Sequence, residues 1–254
     1  MWELLALVVF AASFAQSATG IGFGVIAGPF LIHAYGYDRA VVETALFSLV
    51  VAAVCSVKSI RWVEFRSAAI LVGMLPVGLA IGAGMALVVT QSIILVAFGI
   101  LLLALGSTLL RQELQGVPHS TITPTAGSGR RGFVGAALVA GVTAYLFAAP
   151  GPVAAWGLAR ADLGARSIRG TLSVYFIAAY GALVLTFGLL DQLIQVDWPV
   201  FGRMAVACFA GSIAGAIYGD RLSARVLRIA IGVIVSLSGL STLAVLIWRL
   251  ATNA

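Results

Sequence analysis

The chain has 254 residues, of which 61% are hydrophobic and only 9% are charged. A water-soluble domain carries roughly a quarter charged residues, so the composition excludes an ordinary cytosolic enzyme, a nucleic-acid-binding protein and a disordered chain. The net charge of +6 does not point to nucleic acid, because the basic residues lie between apolar runs, as they do in the cytoplasmic loops of membrane proteins.

A transmembrane helix needs about 20 apolar residues, and the sequence contains eight candidate segments. They are residues 4–32, 40–57, 67–89, 92–110, 132–158, 170–190, 200–218 and 229–248. The first segment lacks the basic start of a secretory signal, so we expect it to remain in the mature protein. Cys55 and Cys208 lie inside apolar runs and are expected to be small buried side chains rather than disulfide partners or metal ligands.

The longest polar stretch, residues 111–131, divides the chain almost in half. It predicts a linker between a first membrane repeat, residues 1–110, and a second, residues 132–254. A shift of 133 positions superposes Gly78 on Gly211, Gly82 on Gly215, Ala83 on Ala216, Gly99 on Gly232 and Gly106 on Gly239. Glycines that match at this many places in one window indicate that each half is one structural unit.

Two stretches are expected to break the first segment of each half: residues 20–29 read GIGFGVIAGP and residues 148–152 read AAPGP. Irregular backbone at membrane depth is tolerated only where protein buries it or where it lines a cavity. If all eight segments crossed, the basic residues would divide evenly between the two sides. If each broken segment instead returns to the side from which it entered, one side holds twelve basic residues and the other three.

The side with twelve is predicted to be cytoplasmic, which places both termini in the periplasm. The predicted fold is an all-α integral membrane protein of two inverted repeats, each with a broken, hairpin-like first helix followed by three transmembrane helices. Paired breaks of this kind point to a transport site at the repeat interface.

The run FAQSATGIGFGVIAGPFL, residues 14–31, resembles the glycine-rich first-helix signature of the sulfite exporter TauE/SafE family, and the two-fold repeat and the chain length agree. The second half departs from that signature, since it reads VTAYLFAAPGP, with Tyr145, Phe147 and Pro150 in place of glycines. The resemblance implies secondary transport of sulfite, organosulfonates or related small organic anions.

An anion inside a bilayer needs hydrogen-bond donors and partial positive charge, which the N-terminus of a half-helix supplies. Gly20, Gly22 and Gly24 are the predicted unwound stretch, and symmetric bends are predicted at Gly28–Pro29 and at Pro150, Gly151 and Pro152. Ser13, Gln16 and Ser17 share one helix face that leads into the first break. Close helix packing and interhelical hydrogen bonding are the alternative roles of these residues.

Thr44 with Ser48, and Thr171 with Tyr175, are pairs four residues apart at matching places in the two halves, and both are predicted to face the repeat interface. Tyr145 and Trp156 flank the second break and are candidates to close over a substrate, with core packing as the alternative.

Arg169, two residues before Thr171, is predicted to lie at the inner mouth of the cavity, where its guanidinium can engage two oxygens of an anion. The alternative is that it only sets the topology. Arg166, nearly one turn farther from the membrane, is expected to contribute little. Glu43 also precedes a matching threonine, and Arg39 four residues earlier is its candidate ion-pair partner.

The sequence therefore predicts a secondary transporter of small anions that works by alternating access in the bacterial inner membrane. An anion or ion channel and a non-transporting membrane subunit are the alternatives. No enzyme motif, cofactor or metal site is expected, His33 and His119 included. The expected partners are the anion and the lipid bilayer, with no nucleic acid, and a homo-oligomer is left open.

Overall fold

The computed structural model describes residues 2–20, 22–114, 130–159, 163–219 and 224–252. Within these ranges the regular structure is helical, with short 3-10 turns at Ile60–Trp62 and Gln192–Gln195. The α-helices are α1 (Trp2–Thr19), α2 (Phe23–Tyr35), α3 (Tyr37–Ser59), α4 (Phe65–Val88), α5 (Gln91–Leu114), α6 (Arg130–Phe147), α7 (Gly151–Ala159), α8 (Ala165–Leu189), α9 (Trp198–Tyr218) and α10 (Ala224–Thr252).

Among the described residues, five helices are long and apolar enough to cross a membrane: α3, α4, α5, α8 and α9. Shorter apolar stretches lie in α1, α2, α6 and α10, for example Glu3–Thr19 in α1 and Gly132–Phe147 in α6. The prediction of an all-α membrane protein is confirmed.

The first predicted segment of the chain forms a helical hairpin. Glycines of α9 pack in order against α1, with Gly211 on Phe10, Gly215 on Phe14 and Gly219 on Ala18, so α1 runs parallel to α9. After the break, α2 returns toward the start of α9, where the Tyr35 hydroxyl lies 4.0 Å from Met204 Sδ. The two ends of the hairpin are therefore on the same side of the molecule.

The first segment of the second half forms a matching hairpin. A Cβ on Gly78 of α4 would lie 2.6 Å from Gly141 Cα of α6, and one on Gly82 would lie 2.8 Å from Tyr145 Cβ, so α6 runs parallel to α4. The helix α7 then doubles back, because Gly157 packs against Ala136 of α6.

The first break lies between Thr19 and Phe23, where Gly20 adopts a positive φ of 80°, a conformation that glycine reaches without strain. The predicted bend at Gly28–Pro29 is wrong, since both residues are buried inside α2, and Gly24 is also helical rather than unwound. Proline is tolerated inside membrane helices, whereas a positive φ ends a helix. Gly151–Pro152, which begins α7, therefore corresponds in position to Phe23–Gly24.

Helices from the two halves pack in pairs, α1 with α9, α4 with α6, α3 with α8 and α5 with α10. These are the pairs that an inverted two-fold repeat predicts, and they support it. The relation itself and the boundaries 1–110, 111–131 and 132–254 stay predictions, and most of the predicted linker lies outside the described residues.

We predict that Gly78→Ala destabilises the protein. The new Cβ would lie 2.6 Å from backbone atoms of Gly141 and Leu138, which can move only if α4 and α6 separate, and such overpacking costs about 1–3 kcal/mol. The matched control is Gly73→Ala on the same helix, where a Cβ meets nothing within 4 Å. Thermal unfolding of the purified variants measures the difference, and equal unfolding temperatures would contradict this account of the α4–α6 contact.

Candidate functional site

The N-termini of the two half-helices meet in the core. A Cβ on Gly151 would lie 3.4 Å from the backbone nitrogen of Gly22, and one on Gly24 would overlap the carbonyl oxygen of Ala148. The hydroxyl of Tyr180, on α8, donates to that carbonyl oxygen at 3.4 Å. The positive ends of α2 and α7 thus lie together in one buried region.

Gln16 connects α1 to the start of α2. Its side chain is 2% exposed, and its Oε1 accepts a hydrogen bond from the backbone N–H of Phe23, the first residue of α2. Since an N–H donor fixes the oxygen of the amide, the nitrogen points elsewhere, and Nε2 is buried without a hydrogen-bond partner. An unsatisfied buried donor costs about 1–3 kcal/mol, so this nitrogen is a place for an acceptor from outside the protein.

A small cavity of about 40 Å³ adjoins Gln16. It is lined by Gln16, Ser17, Gly20, Cys55, Ser59, Arg169, Leu172, Ser173 and Phe176; we call it the polar cavity. The hydroxyls of Ser59 and Ser173 donate to carbonyl oxygens one turn earlier in their own helices, at 2.7 and 2.8 Å. The amide nitrogen of Gln16 is a buried donor that has no protein partner, and Gln16 belongs to the lining of the cavity.

A larger cavity of about 370 Å³ shares Ser17, Cys55, Ser59 and Arg169 with the polar cavity. Three arginines line it, Arg61, Arg166 and Arg169, and we call it the basic vestibule. The Arg61 and Arg166 guanidinium carbons lie 5.8 and 5.3 Å from the centre of the Trp62 ring. Within the described part of the chain no carboxylate pairs with any of the three arginines, so the vestibule attracts anions.

Arg166 and Arg169 both line the basic vestibule. Arg169 lies near the break as predicted, with its Cγ 3.8 Å from the position of a Cβ on Gly20. Arg166, however, lines the same vestibule and stacks on Trp62, because the turn at Ile60–Trp62 folds back over the first turn of α8. Arg166 lines the vestibule but not the polar cavity, and the expectation that it contributes little stays a prediction.

Thr171 supports the rim of the vestibule instead of facing the cavities. Its Oγ1 accepts a hydrogen bond from the backbone N–H of Glu64 at 3.0 Å. The Glu64 carboxylate in turn caps α4 by accepting from the N–H of Ser67 at 2.6 Å and of Arg66 at 3.2 Å. These bonds, that to Ser67 foremost, hold the pKa of Glu64 below its usual value. Thr171 thereby fixes the turn that carries Arg61 and Trp62.

Three other predicted residues are buried polar groups of the core. The hydroxyls of Thr44, Ser48 and Tyr175 are buried without hydrogen-bond partners, and none of the three lines the polar cavity or the basic vestibule. Thr44 lies behind the start of α2, since its Cγ2 is 3.1 Å from the position of a Cβ on Gly24. The predicted face formed by Thr171 and Tyr175 is rotated away from the cavity.

The remaining predicted residues lie around the two hairpins. Ser13 donates to Val9 O at 2.6 Å, and Pro150 O accepts from Ala154 N–H at 3.1 Å in the first turn of α7. The Tyr145 ring packs 5.9 Å from that of Phe187, and Trp156 is 44% exposed. Neither aromatic residue lines the polar cavity or the vestibule, so the geometry favours packing over closure.

Arg39 and Glu43 form the predicted ion pair at the opposite end of the molecule, beside the start of α9. Arg39 Nε donates to Glu43 Oε1 at 2.7 Å, and the guanidinium lies 4.2 Å above the ring of Tyr35. Glu43 is fully buried and its second oxygen has no partner. Both members of the pair are on α3, and the contact of the Arg39 guanidinium with Tyr35 connects α3 to α2 on the side away from the vestibule.

Several residues of the site were missed by the sequence analysis: Cys55, Ser59, Arg61, Trp62, Ser173, Phe176 and Tyr180. A signal for part of this set was present. Arg169, Leu172, Ser173 and Phe176 follow the spacing i, i+3, i+4 and i+7 of one helix face, and all four line the polar cavity. The face of α8 that lines the polar cavity therefore includes Arg169 and not Thr171.

No group of three or more His, Cys, Asp or Glu side chains that could hold a metal occurs among the residues the structure describes. His33 lies in α2, and His119 lies outside the described residues.

The family model described as "Sulfite exporter TauE/SafE" matches residues 5–242. No curated protein and no solved structure matches the chain.

Proposed function

Because the chain belongs to the sulfite exporter TauE/SafE family, a family of membrane transporters, we propose that it carries sulfite, an organosulfonate or a related small organic anion across the bacterial inner membrane. The single observation that carries this proposal is the unpaired, buried Nε2 of Gln16, a residue that lines the polar cavity together with Arg169. A neutral donor and one guanidinium beside a half-helix N-terminus suit an oxyanion.

The geometry supports a path that starts at the basic vestibule. Arg61 and Arg166 attract anions to the basic vestibule. Arg169 lines both the vestibule and the polar cavity, so an anion bound to it passes from the first to the second. The path ends at Phe176, whose ring is 3.1 Å from the position of a Cβ on Gly151. Phe176 and the contact between the two breaks form the floor of the cavity.

The side opposite the vestibule is closed by aromatic packing. The Phe98 and Phe147 rings stack at 4.7 Å, and the Tyr37 hydroxyl donates to Leu146 O. A cavity open to one side and packed on the other favours alternating access, in which the break region is exposed to each side in turn. Saturable counter-transport of sulfite in proteoliposomes distinguishes this mechanism from a channel.

We predict that Gln16→Glu separates folding from anion binding. The glutamate keeps a carboxylate oxygen to accept from Phe23 N–H, so α2 still starts correctly, but it replaces the free NH₂ donor by a negatively charged acceptor. Sulfite affinity should fall at least tenfold, since losing a hydrogen bond to a charged ligand costs about 1.5–3 kcal/mol. Isothermal titration with sulfite measures the change, and wild-type affinity in this variant would remove Gln16 from the site.

A second prediction concerns the arginines. Arg169→Gln should weaken sulfite binding most, because Arg169 reaches the polar cavity, and Arg166→Gln should weaken it less, because Arg166 lines only the vestibule. The control is Arg66→Gln, which removes an exposed charge from the start of α4 outside both cavities. Lysine at 169 should restore affinity only in part, since it lacks the planar fork of donors. Equal losses for all three glutamine variants would indicate a general effect of net charge.

We also predict that both termini face the periplasm and that the vestibule opens to the cytoplasm. Arg61, Arg66, Arg166 and Arg169 would then follow the positive-inside rule. Green fluorescent protein fused after residue 254 should stay dark while alkaline phosphatase at the same position is active. The same reporters fused after residue 120 should give the reverse pattern, and a fluorescent C-terminal fusion would overturn the assignment.

A further inference from the structure

A third cavity, of about 250 Å³, also has Arg169 in its lining. It shares Gly20, Arg169 and Leu172 with the polar cavity, so the two adjoin at the first break. We call it the apolar cavity, because its wall is almost entirely hydrocarbon, including Val25, Leu105, Leu109, Pro152, Ala155 and Val235. Helices of both halves, α2, α5, α7, α8 and α10, contribute to it.

Arg169 lines both the polar cavity and the apolar cavity. Its Cγ lies 3.8 Å from the position of a Cβ on Gly20, a residue common to the polar and apolar cavities. Arginine packs its methylene stem along apolar surface while its guanidinium stays with polar groups. A molecule that is anionic at one end and apolar at the other matches this change of environment.

The volumes of the apolar and polar cavities indicate which part of a ligand each can hold. A dry apolar cavity of about 150 Å³ is enough to bind benzene, so the apolar cavity of about 250 Å³ has room for an aromatic ring or a short alkyl chain. The polar cavity, at about 40 Å³, has room for little more than an oxyanion head. Bare sulfite would leave the apolar cavity empty.

We propose that the preferred substrate is an amphipathic anion, a sulfonate or carboxylate with a hydrocarbon tail of roughly six carbons. Its head meets Gln16 Nε2 and Arg169, and its tail lies against Leu105, Leu109 and Ala155. This inference rests on the proposed function and adds a tail subsite to it. The entry of the tail buries residues of both halves, so a tail-bearing substrate joins the two hairpins more tightly than sulfite does.

The test is a homologous series of alkanesulfonates, from methane- to hexanesulfonate, with benzenesulfonate and sulfite, titrated into the purified full-length protein in lipid nanodiscs. Each buried methylene contributes about 0.8 kcal/mol, which is about fourfold in affinity. We expect affinity to rise by about that factor per carbon and then level off once the cavity is filled. A series with no dependence on chain length, while sulfite binds, would overturn the tail subsite and leave the proposed function standing.

Variants of the wall give a second measurement. Ala155→Leu fills the apolar cavity, so the ratio of hexanesulfonate to sulfite affinity should fall at least tenfold. Leu105→Ala enlarges it and should move the preference toward longer tails, which keeps the test available if Ala155→Leu does not fold. The control is Ala86→Leu, at an exposed position on α4 away from all three cavities. An unchanged ratio in both wall variants would overturn the tail subsite, and failure of every anion to bind the wild type would overturn the proposed function as well.

Discussion

Water is absent from the hydrocarbon core of a bilayer, so each backbone amide freed by a broken helix must find its partner inside the protein. Two such breaks lie side by side here, and the surrounding structure provides those partners. Gln16 satisfies the first amide of α2, and Tyr180 donates to the last turn before the second break through Ala148 O. The same arrangement leaves one amide nitrogen of Gln16 unpaired. The side chain that caps α2 thus also carries a donor that has no partner of its own.

Close approach of helices is the second condition for this arrangement. The hairpins lie flat against α9 and α4 because glycines at 211, 215, 78 and 82 leave no room for a side chain between the backbones. This packing brings the first break beside the first turns of α8, where Arg166 and Arg169 begin the basic vestibule. Small residues at the helix contacts therefore determine where the positive charge lies.

The sequence predicts most of the architecture, because composition, the length of apolar runs and repeated glycines are read directly from it. None of these requires knowing which residues are in contact. It also identifies Gln16, Ser17, Gly20 and Arg169, which the structure brings into one cavity. It misplaces the bend at Pro29, because a proline pattern does not reveal whether the helix continues through it. It misses Arg61 and Trp62, since their position depends on the bond from Glu64 N–H to Thr171, a contact between residues more than a hundred positions apart. Thr171 and Ser173 lie on nearly opposite faces of α8, about 160° apart at 3.6 residues per turn, and only packing decides which of the two faces the cavity.

The two breaks differ in stiffness. Gly20 precedes the start of α2, Ala148 precedes the start of α7, and both residues have a positive φ, 80° and 47°. This conformation costs roughly 1–2 kcal/mol for alanine, whereas glycine adopts it without strain. Pro150 and Pro152 further restrict φ around the second break, whereas the first is built from glycines. The two halves are similar in architecture, but the first break is therefore more flexible than the second. In the proposed alternating-access cycle we therefore expect unequal movements in the two halves, with the first hairpin bending more than the second.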